Sequence, residues 1–359
     1  MVRSAVSLTA AGTCRRQFLS AFAGNGSVPG ASFITERRKG LSKTGTAAVR
    51  KSHSGFLYNL KKYKVAYVYI APFYILFAIF GLIPIVAGFL LSFVRWDGMS
   101  TMHMVGITNY VNLFHDPLFW KALRNTFLIG IIAHIPILLG GLTLAFILNS
   151  KLVMGENIFK TIYFMPMVTS SVAISIIFQN LFGNNYGVIN WFLSLFGISN
   201  INWLGGNGSL IKVAVIVMFS WKWIGWNMVI YLAGMQGISN DIYEAARIDG
   251  AGYTRMMFSI CIPLLKPIIV FTIVQSTMGM FNLFTEPFIL TGQSWTGGIN
   301  NGGLTLMTYL LNKAPQGGTA YGYASAVAYV ITVMTVIISI FVNKVSADRP
   351  ERRKHVIDD

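Results

Sequence analysis

Six runs of mostly apolar residues, each 20 residues or longer, constrain this chain more than any other feature. They lie at residues 67–93, 125–148, 158–181, 211–235, 267–290 and 320–342. A run of this length is what an α-helix needs to cross the hydrocarbon core of a bilayer. Lipid offers no hydrogen-bond partners to the backbone, so such runs must be helices or closed barrels. Barrel strands of about ten alternating residues are not seen. We therefore predict an all-α protein with six membrane-spanning helices.

Composition agrees with a membrane protein and shows where the charge lies. Hydrophobic residues make up 54% of the chain and charged residues 11%, against about 25% charged in soluble domains. Residues 1–64 hold twelve of the 28 Lys and Arg residues but one of the 12 acids. We predict a basic, disordered tail over 1–60, a membrane domain over 61–345 and a short tail over 346–359. For residues 1–60, a targeting segment or a misplaced start codon is the alternative.

The basic excess also bears on partners and orientation. A basic tail beside a bilayer suits anionic lipid, so membrane lipid is a predicted partner and nucleic acid is not. Lys and Arg gather before the first run, after the sixth, and in the second–third and fourth–fifth gaps, whereas residues 183–210 hold no charge. The positive-inside rule then places both termini and the fourth–fifth gap in the cytoplasm.

The polar gap between the fourth and fifth runs has a pattern of its own. Asn240 and Asp241 are of the types that cap a helix start. Gly250 is of the type that ends a helix in a left-handed turn. A second short segment ends at Pro263, which blocks helix continuation. Residues 237–266 are thus predicted to form a helix, a sharp turn and a second helix. An ordinary hairpin between spans is the alternative to a functional loop.

This gap also carries a recognisable motif. Glu244-Ala245-Ala246, Gly250 and Ile260-Cys261-Ile262-Pro263 resemble the cytoplasmic loop of binding-protein-dependent import permeases, departing only at Ile262, where Leu is usual. Similar segments, among them Asn227-Met228 and Tyr321-Gly322-Tyr323, extend the resemblance over roughly residues 65–345. They point to the carbohydrate branch of these ABC importer permeases, which includes permeases for maltose and for glycerol-phosphate.

The resemblance implies a type I ABC importer permease fold in the bacterial inner membrane. It implies import of a sugar or oligosaccharide by alternating access, with a glycerol-phosphate or other polyol-type solute as the alternative cargo. A homologous sister permease and an extracytoplasmic solute-binding protein would be its partners. Two ABC ATPase subunits would dock at the loop, through Glu244, Ala245, Ala246, Gly250 and Pro263. The chain has no phosphate-cradling glycine loop. We therefore expect ATP to be used by the partner, and this chain to be no enzyme and to hold no cofactor or metal.

Polar residues within the spans are candidates for a substrate cavity. Gln275, Asn282 and Glu286 are spaced so that one continuous helix would present them on one face. Trp226 and Asn227 lie in the fourth run. A sugar site needs an apolar surface with a few placed polar groups, which these residues would provide. The alternative is that they bridge packed helices.

Lys222 lies deep in the fourth run, about 16 Å along a helix, where an ionisable group is a functional candidate. Glu286 is its nearest plausible partner. Alternatives are an anionic substrate such as a glycerol-phosphate, or snorkelling into a polar cavity. An ion-coupled carrier would favour several buried carboxylates, yet Glu286 is the only acid in any run. A membrane enzyme is disfavoured because hydrolase motifs are missing. The sequence does not name the sugar.

Overall fold

The computed structural model describes residues 63–150, 153–314 and 321–346. The predicted tail over 1–60 and all but one residue of the tail over 346–359 lie outside the described residues. The chain divides into a unit of residues 1–74, of which 63–74 are described, and a larger unit of residues 75–359. All residues considered for function below belong to the larger unit.

The described residues are almost entirely helical. In the first half the helices are α1 Lys64–Phe77, α2 Ile83–Leu91, α3 Thr108–His115, α4 Pro117–Asn149, α5 Glu156–Val168, α6 Ser171–Leu181 and α7 Val188–Ser194. In the second half they are α8 Ile211–Gln236, α9 Asn240–Ile248, α10 Tyr253–Met256, α11 Ile262–Leu264, α12 Lys266–Phe281, α13 Thr285–Leu290, α14 Leu306–Lys313 and α15 Tyr321–Ser346. Two-residue strands β1 Val94–Arg95 and β2 His103–Met104 pair antiparallel. The all-α prediction is confirmed.

Within the described ranges, four helical segments are long and apolar enough to cross a membrane without a sharp bend: Lys64–Leu91, Pro117–Asn149, Ile211–Gln236 and Tyr321–Ser346. Two further candidates are bent. Glu156–Val168 meets Ser171–Leu181 at 96°, and Tyr253–Leu264 meets Lys266–Phe281 at 74°. Six spans result when each bent pair counts as one, which agrees with the six predicted runs.

The third run was predicted as one helix over residues 158–181, and this is wrong. The helix ends at Val168, and Thr169 and Ser170 have extended backbone angles before α6 begins at Ser171. Thr169 Oγ1 donates to the carbonyl of Met165 at 2.9 Å. Hydroxyl side chains that bond the nearby backbone compete with helix continuation, and the apolarity of the run conceals this break.

The fifth run was predicted as one helix over residues 267–290, and this is also wrong. Helix α12 ends at Phe281, and α13 begins at Thr285. Pro287 lies in the first turn of α13, where its missing N–H costs nothing, whereas inside a longer helix it would leave the Leu283 carbonyl without its bond. Thr305 Oγ1 donates to that carbonyl instead, at 2.6 Å.

Pro263 does not end the helix before it, contrary to the prediction. The chain stays helical from Tyr253 to Leu264, with a π-helical turn over Met257–Cys261. The wider turn accommodates a proline that cannot donate a hydrogen bond. The first span has the same arrangement, because a π-helical turn over Ala78–Leu82 ends two residues before Pro84. The sharp bend comes at Leu265, between α11 and α12.

The centre of the larger unit is built on the long helices α4 and α8, which pack along each other. Helix α5 packs against α8 at Gly225, where an added Cβ would lie 1.7 Å from the carbonyl oxygen of Tyr163. Helix α4 approaches α8 at Gly141, where a Cβ would lie 2.9 Å from that of Asn227. Small residues allow such close contact of helix backbones within a membrane.

Candidate functional site

The predicted coupling loop contains a capped helix, α9, in which the side chain of Ser239 accepts a hydrogen bond from a backbone N–H of the first turn. The Ser239 Oγ accepts from the backbone N–H of Asp241 at 3.3 Å, so the cap is Ser239 and not Asn240 or Asp241 as predicted. Asp241 lies in the first turn instead, where a negative charge is favourable next to the helix N-terminus.

The other end of α9 closes in a left-handed turn at Gly250. Its φ is +76°, which suits glycine. The N–H of Gly250 donates to the Arg247 carbonyl at 3.0 Å, and that of Ala251 donates to the Ala246 carbonyl at 2.9 Å. These two bonds form a Schellman motif. No atom lies within 4 Å of a Cβ built on Gly250, so the glycine is required by backbone conformation and not by space.

Helix α9 has one face packed on the protein and one facing away. Ala246 is buried in a cluster with Met235 at the end of α8 and Cys261 in the π-helical turn. The Tyr243 hydroxyl lies 3.5 Å from the Cys261 Sγ. Burial first, and then this thiol, raise the pKa of Tyr243, so the phenol stays neutral. Ile248 on the outer face is 87% exposed. The helix is thus packed against the membrane spans on one face and exposed on the other.

A groove of about 530 Å³ runs beside α9. It is lined by the ends of α4 and α8, by Glu156 at the start of α5, and by Glu244 and Arg247 of α9. Backbone carbonyls at helix C-termini carry partial negative charge, and Glu156 is already paired with Lys160 at 3.1 Å. The groove therefore presents charges of both signs next to α9.

Near the middle of α8, Lys222 forms an ion pair with Glu286 of α13. The Nζ–Oε1 distance is 3.0 Å, and each side chain is 9% exposed. The ammonium also donates a short hydrogen bond to the hydroxyl of Ser171 in α6. The expectation that Glu286 is the partner of Lys222 is confirmed.

A second polar contact lies one helical turn further along α8. The Trp226 Nε1–H donates to Gln275 Oε1 of α12 at 3.4 Å, and the indole stacks on Phe164 of α5 with ring centroids 6.1 Å apart. Asn227 is buried and donates to the Trp223 carbonyl at 3.0 Å, while its Oδ1 accepts no hydrogen bond from the described residues. The structure brings Trp226 and Gln275 together.

Glu286 does not share a helix face with Gln275 and Asn282, contrary to the prediction. The spacing argument needed one continuous helix, but α12 ends at Phe281. Asn282 is exposed, and its Nδ2 donates to the Met278 carbonyl at 2.9 Å. Glu286 lies beyond the break and faces Lys222. The three residues therefore occupy three different surroundings.

Asp116, just before α4, joins α4 to α14, a contact that sequence reasoning did not predict. Its carboxylate accepts from the Tyr309 hydroxyl at 2.7 Å and from the Leu118 N–H at 2.8 Å, and lies 3.4 Å from the Lys313 ammonium. Burial raises the pKa of Asp116, but these hydrogen bonds and the lysine charge outweigh it and hold the pKa below its usual value. These contacts of Asp116 hold α14 against the start of α4.

Much of the chain matches a known protein family. Residues 137–347, which include α9, Gly250 and both bent spans, match the family described as the binding-protein-dependent transport system inner membrane component. The chain belongs to this family. It is therefore a permease component of an ABC transporter, a class in which ATP hydrolysis resides in a separate subunit.

Relatives align along most of the permease. The lactose transport system permease protein LacF of Rhizobium radiobacter is 38% identical over 286 residues, which are 78% of this chain and 94% of that one. The arabinooligosaccharides transport system permease protein AraP of Bacillus subtilis (strain 168) is 36% identical over 313 residues, or 85% and 96% of the two chains. A crystal structure of a bacterial ABC transporter that imports the acidic polysaccharide alginate shares the fold. Its matched chain has a TM-score of 0.69 at 24% identity, covering 80% of the permease and 96% of that chain.

Two residues of the candidate site were not anticipated. Ile248 is the most exposed apolar side chain of α9, and its position two residues before Gly250 could have indicated a tip residue. Ser171 carried no signal, because a serine in an apolar run is common. Within the part of the chain that the structure describes, no three His, Cys, Asp or Glu side chains are grouped closely enough to hold a metal ion.

Proposed function

We propose that this permease imports a neutral sugar or oligosaccharide, with energy from ATP hydrolysis in two partner ATPases. The observation that supports this most is α9, which is capped at both ends, anchored by Ala246 on the spans and exposed at Ile248. Its coupling residues would be Glu244, Ala245, Ala246 and Gly250, with Pro263 behind the π-helical turn.

The packing of α9 suggests how ATPase motion reaches the membrane. The buried cluster that holds Ala246 also contains Leu142 and Phe146 of α4, and Tyr231 and Met235 of α8. Close-packed interiors transmit displacement because they hold few voids. A movement of α9 would therefore displace the ends of α4 and α8, and these helices carry it to the cavity residues. In alternating access, such movements would open the cavity first to one side of the membrane and then to the other.

The substrate class rests on the relatives and on charge. Lactose and arabinooligosaccharides, named for two relatives, are uncharged sugars. Trp226 offers an aromatic face and Gln275 an amide beside it, while Asn227 and Asn282 would add polar groups. Lys222 is neutralised by Glu286, so it does not offer a free positive charge to a glycerol-phosphate. These contacts favour a neutral sugar.

The assembly we propose has a homologous sister permease beside this chain, two ATPases at α9 and a solute-binding protein on the opposite side. It lies in the bacterial inner membrane with both termini in the cytoplasm, and ATP is bound by the ATPases alone. The test is reconstitution of the complete complex in liposomes with labelled lactose and arabinooligosaccharides. ATP-dependent uptake of either sugar would support the proposal. Uptake of neither, with strong uptake of a sugar phosphate, would contradict it.

The orientation can be checked with single cysteines. Asn202 lies in an uncharged loop and Arg255 in α10, and both are exposed. In a chain whose own thiols at Cys14 and Cys261 are replaced by serine, Asn202→Cys should react with an impermeant maleimide from outside intact cells. Arg255→Cys should react only after the membrane is permeabilised, because the loop of α9 faces the cytoplasm. The opposite labelling pattern would show that the orientation is reversed.

A cavity role for Asn282 predicts a loss of transport without a loss of assembly. Asn282→Leu should lower uptake about tenfold, mainly through a higher KM, since a lost polar contact costs about 1.4 kcal/mol. Asn180→Leu is the matched control, because Asn180 is also exposed and donates to the carbonyl four residues earlier, at 2.8 Å. Equal losses in the two variants, or dissociation of the complex by Asn282→Leu alone, would favour a packing role.

A further inference from the structure

We propose that Lys222 is a positioning residue that holds both broken spans at their breaks and so couples ATP hydrolysis to sugar movement. The proposal rests on the proposed transport function. It assigns Lys222 no contact with the sugar. The ammonium instead fixes where two half-helices stand relative to α8.

The two partners of Lys222 lie directly after the two breaks. Ser171 is the first residue of α6, immediately beyond the extended residues Thr169 and Ser170. Glu286 is the second residue of α13, beyond Asn282 where α12 has ended. One ammonium in the middle of α8 thus contacts the first turn of each helix that resumes after a break.

The resumed helices are also tied to each other. Gln179 Nε2 of α6 donates to the Ile289 carbonyl of α13 at 2.9 Å. Helix α13 has six residues, Thr285–Leu290, and is therefore held near its start by Glu286 and near its end by Ile289. Helices α6, α8 and α13 form a single polar-bonded group, which can move as one body when α8 is displaced.

The Lys222–Glu286 ion pair can position helices without adding much to the stability of the protein. Both side chains are nine-tenths or more buried, and taking two charges out of water costs about as much as their attraction returns. Replacing both partners of such a pair by neutral groups is often neutral for stability, whereas removing one leaves an unpaired buried charge. A pair that adds little net stability can still fix geometry, because an ammonium and a carboxylate attract over a longer range than packed apolar groups.

Lys222 is also placed to act on the cavity. It precedes Trp226 by four residues on α8, so the two side chains lie on the same side of the helix, one turn apart. Trp226 contacts α12 through Gln275 and α5 through Phe164. These are the helices before the breaks, whereas Lys222 holds the helices after them. The two layers on α8 thus contact each broken span on both sides of its break.

The test compares four variants of the complete complex in liposomes. Lys222→Met and Glu286→Gln alone should lower the yield of assembled complex, because each leaves one buried charge unpaired. The neutral double variant, Lys222→Met with Glu286→Gln, should assemble at wild-type yield but import at least tenfold fewer sugar molecules per ATP hydrolysed. The exchanged pair, Lys222→Glu with Glu286→Lys, should restore that ratio to within about threefold of wild type.

Lys212→Met is the matched control. Lys212 is on the same helix and has no carboxylate within 4 Å among the described residues, so the ratio of sugar to ATP should not change. A neutral double variant with wild-type coupling would overturn the proposal and leave the pair a packing feature. An exchanged pair that couples no better than the neutral double would overturn it as well. If the wild-type complex imports no sugar with ATP, the transport function itself fails, whatever the variants do.

Discussion

Gly225→Val will leave almost no assembled permease in the membrane, and uptake will fall below detection. At residue 225 an ideal Cβ lies 1.7 Å from the carbonyl oxygen and 2.5 Å from the carbonyl carbon of Tyr163. These are backbone atoms of α5, so no rotamer change relieves the clash. Helices α5 and α8 would have to separate by about 1.5 Å, and overpacking of this kind costs typically 1–3 kcal/mol and occasionally more. It would also disturb the stacking of Trp226 on Phe164.

Gly279→Ala is the control for this effect, because Gly279 is also in a spanning helix but its Cβ would meet only a side-chain carbon of Phe219, at 3.9 Å. Yield of the detergent-solubilised complex on gel filtration, with uptake alongside, is the measurement. Gly279→Ala should retain most of both, and Gly225→Ala should already lose much of the yield. A normal yield for Gly225→Val would mean that α5 does not lie against α8 as described.

Gly250→Val is expected to reduce uptake at least tenfold while the membrane spans still insert and the binding protein still docks. Its φ of +76° penalises any side chain by about 1 kcal/mol or more, and a β-branched one most of all. The Schellman bonds that close α9 would be lost or bent, which would tilt Glu244 and Ile248 away from the surface that we propose for the ATPase.

The control for Gly250→Val is two residues further along the chain. Gly252 also has open space around its Cβ, but its φ is −70°, which valine adopts without strain. Gly252→Val should therefore keep wild-type uptake and wild-type recovery of the ATPase when the permease is purified by an affinity tag. Full ATPase recovery and full uptake with Gly250→Val would reduce residues 237–266 to an ordinary hairpin.

The spans and the loop could be predicted from sequence for different reasons. Apolar length fixes a membrane span almost regardless of side-chain detail, so six runs gave the right number. Gly250 was predictable because a left-handed turn excludes most other residues. The breaks in the third and fifth runs were missed because the runs were identified by the length of their apolar sequence. Thr169, Ser170 and Pro287 interrupt helical hydrogen bonding, but they do not end an apolar run.

The contents of the candidate cavity were predictable in part. The pairing of Lys222 with Glu286 followed from the cost of burying either charge alone, and the structure shows that contact. The shared face of Gln275, Asn282 and Glu286 was wrong because helical spacing holds only within one helix. Pro263 was predicted to end a helix, but a π-helical turn before it lets the helix continue. Local rules fail where the backbone leaves its regular form.

The pairing of Lys222 with Glu286 has a consequence for biogenesis. Ribosomal synthesis runs from the amino end, so α8 enters the bilayer before the carboxylate that neutralises its lysine has been made. A lysine at the middle of a spanning helix raises the insertion free energy by about 2.5–3.5 kcal/mol on translocon scales. Helix α4 is already in place by then and packs along α8. Ser171 of α6 is also made before α8, and its hydroxyl can accept a hydrogen bond from the Lys222 ammonium. Until α13 is made, nascent α8 can therefore contact α4 and Ser171, and the order of synthesis becomes part of how the membrane accepts this chain.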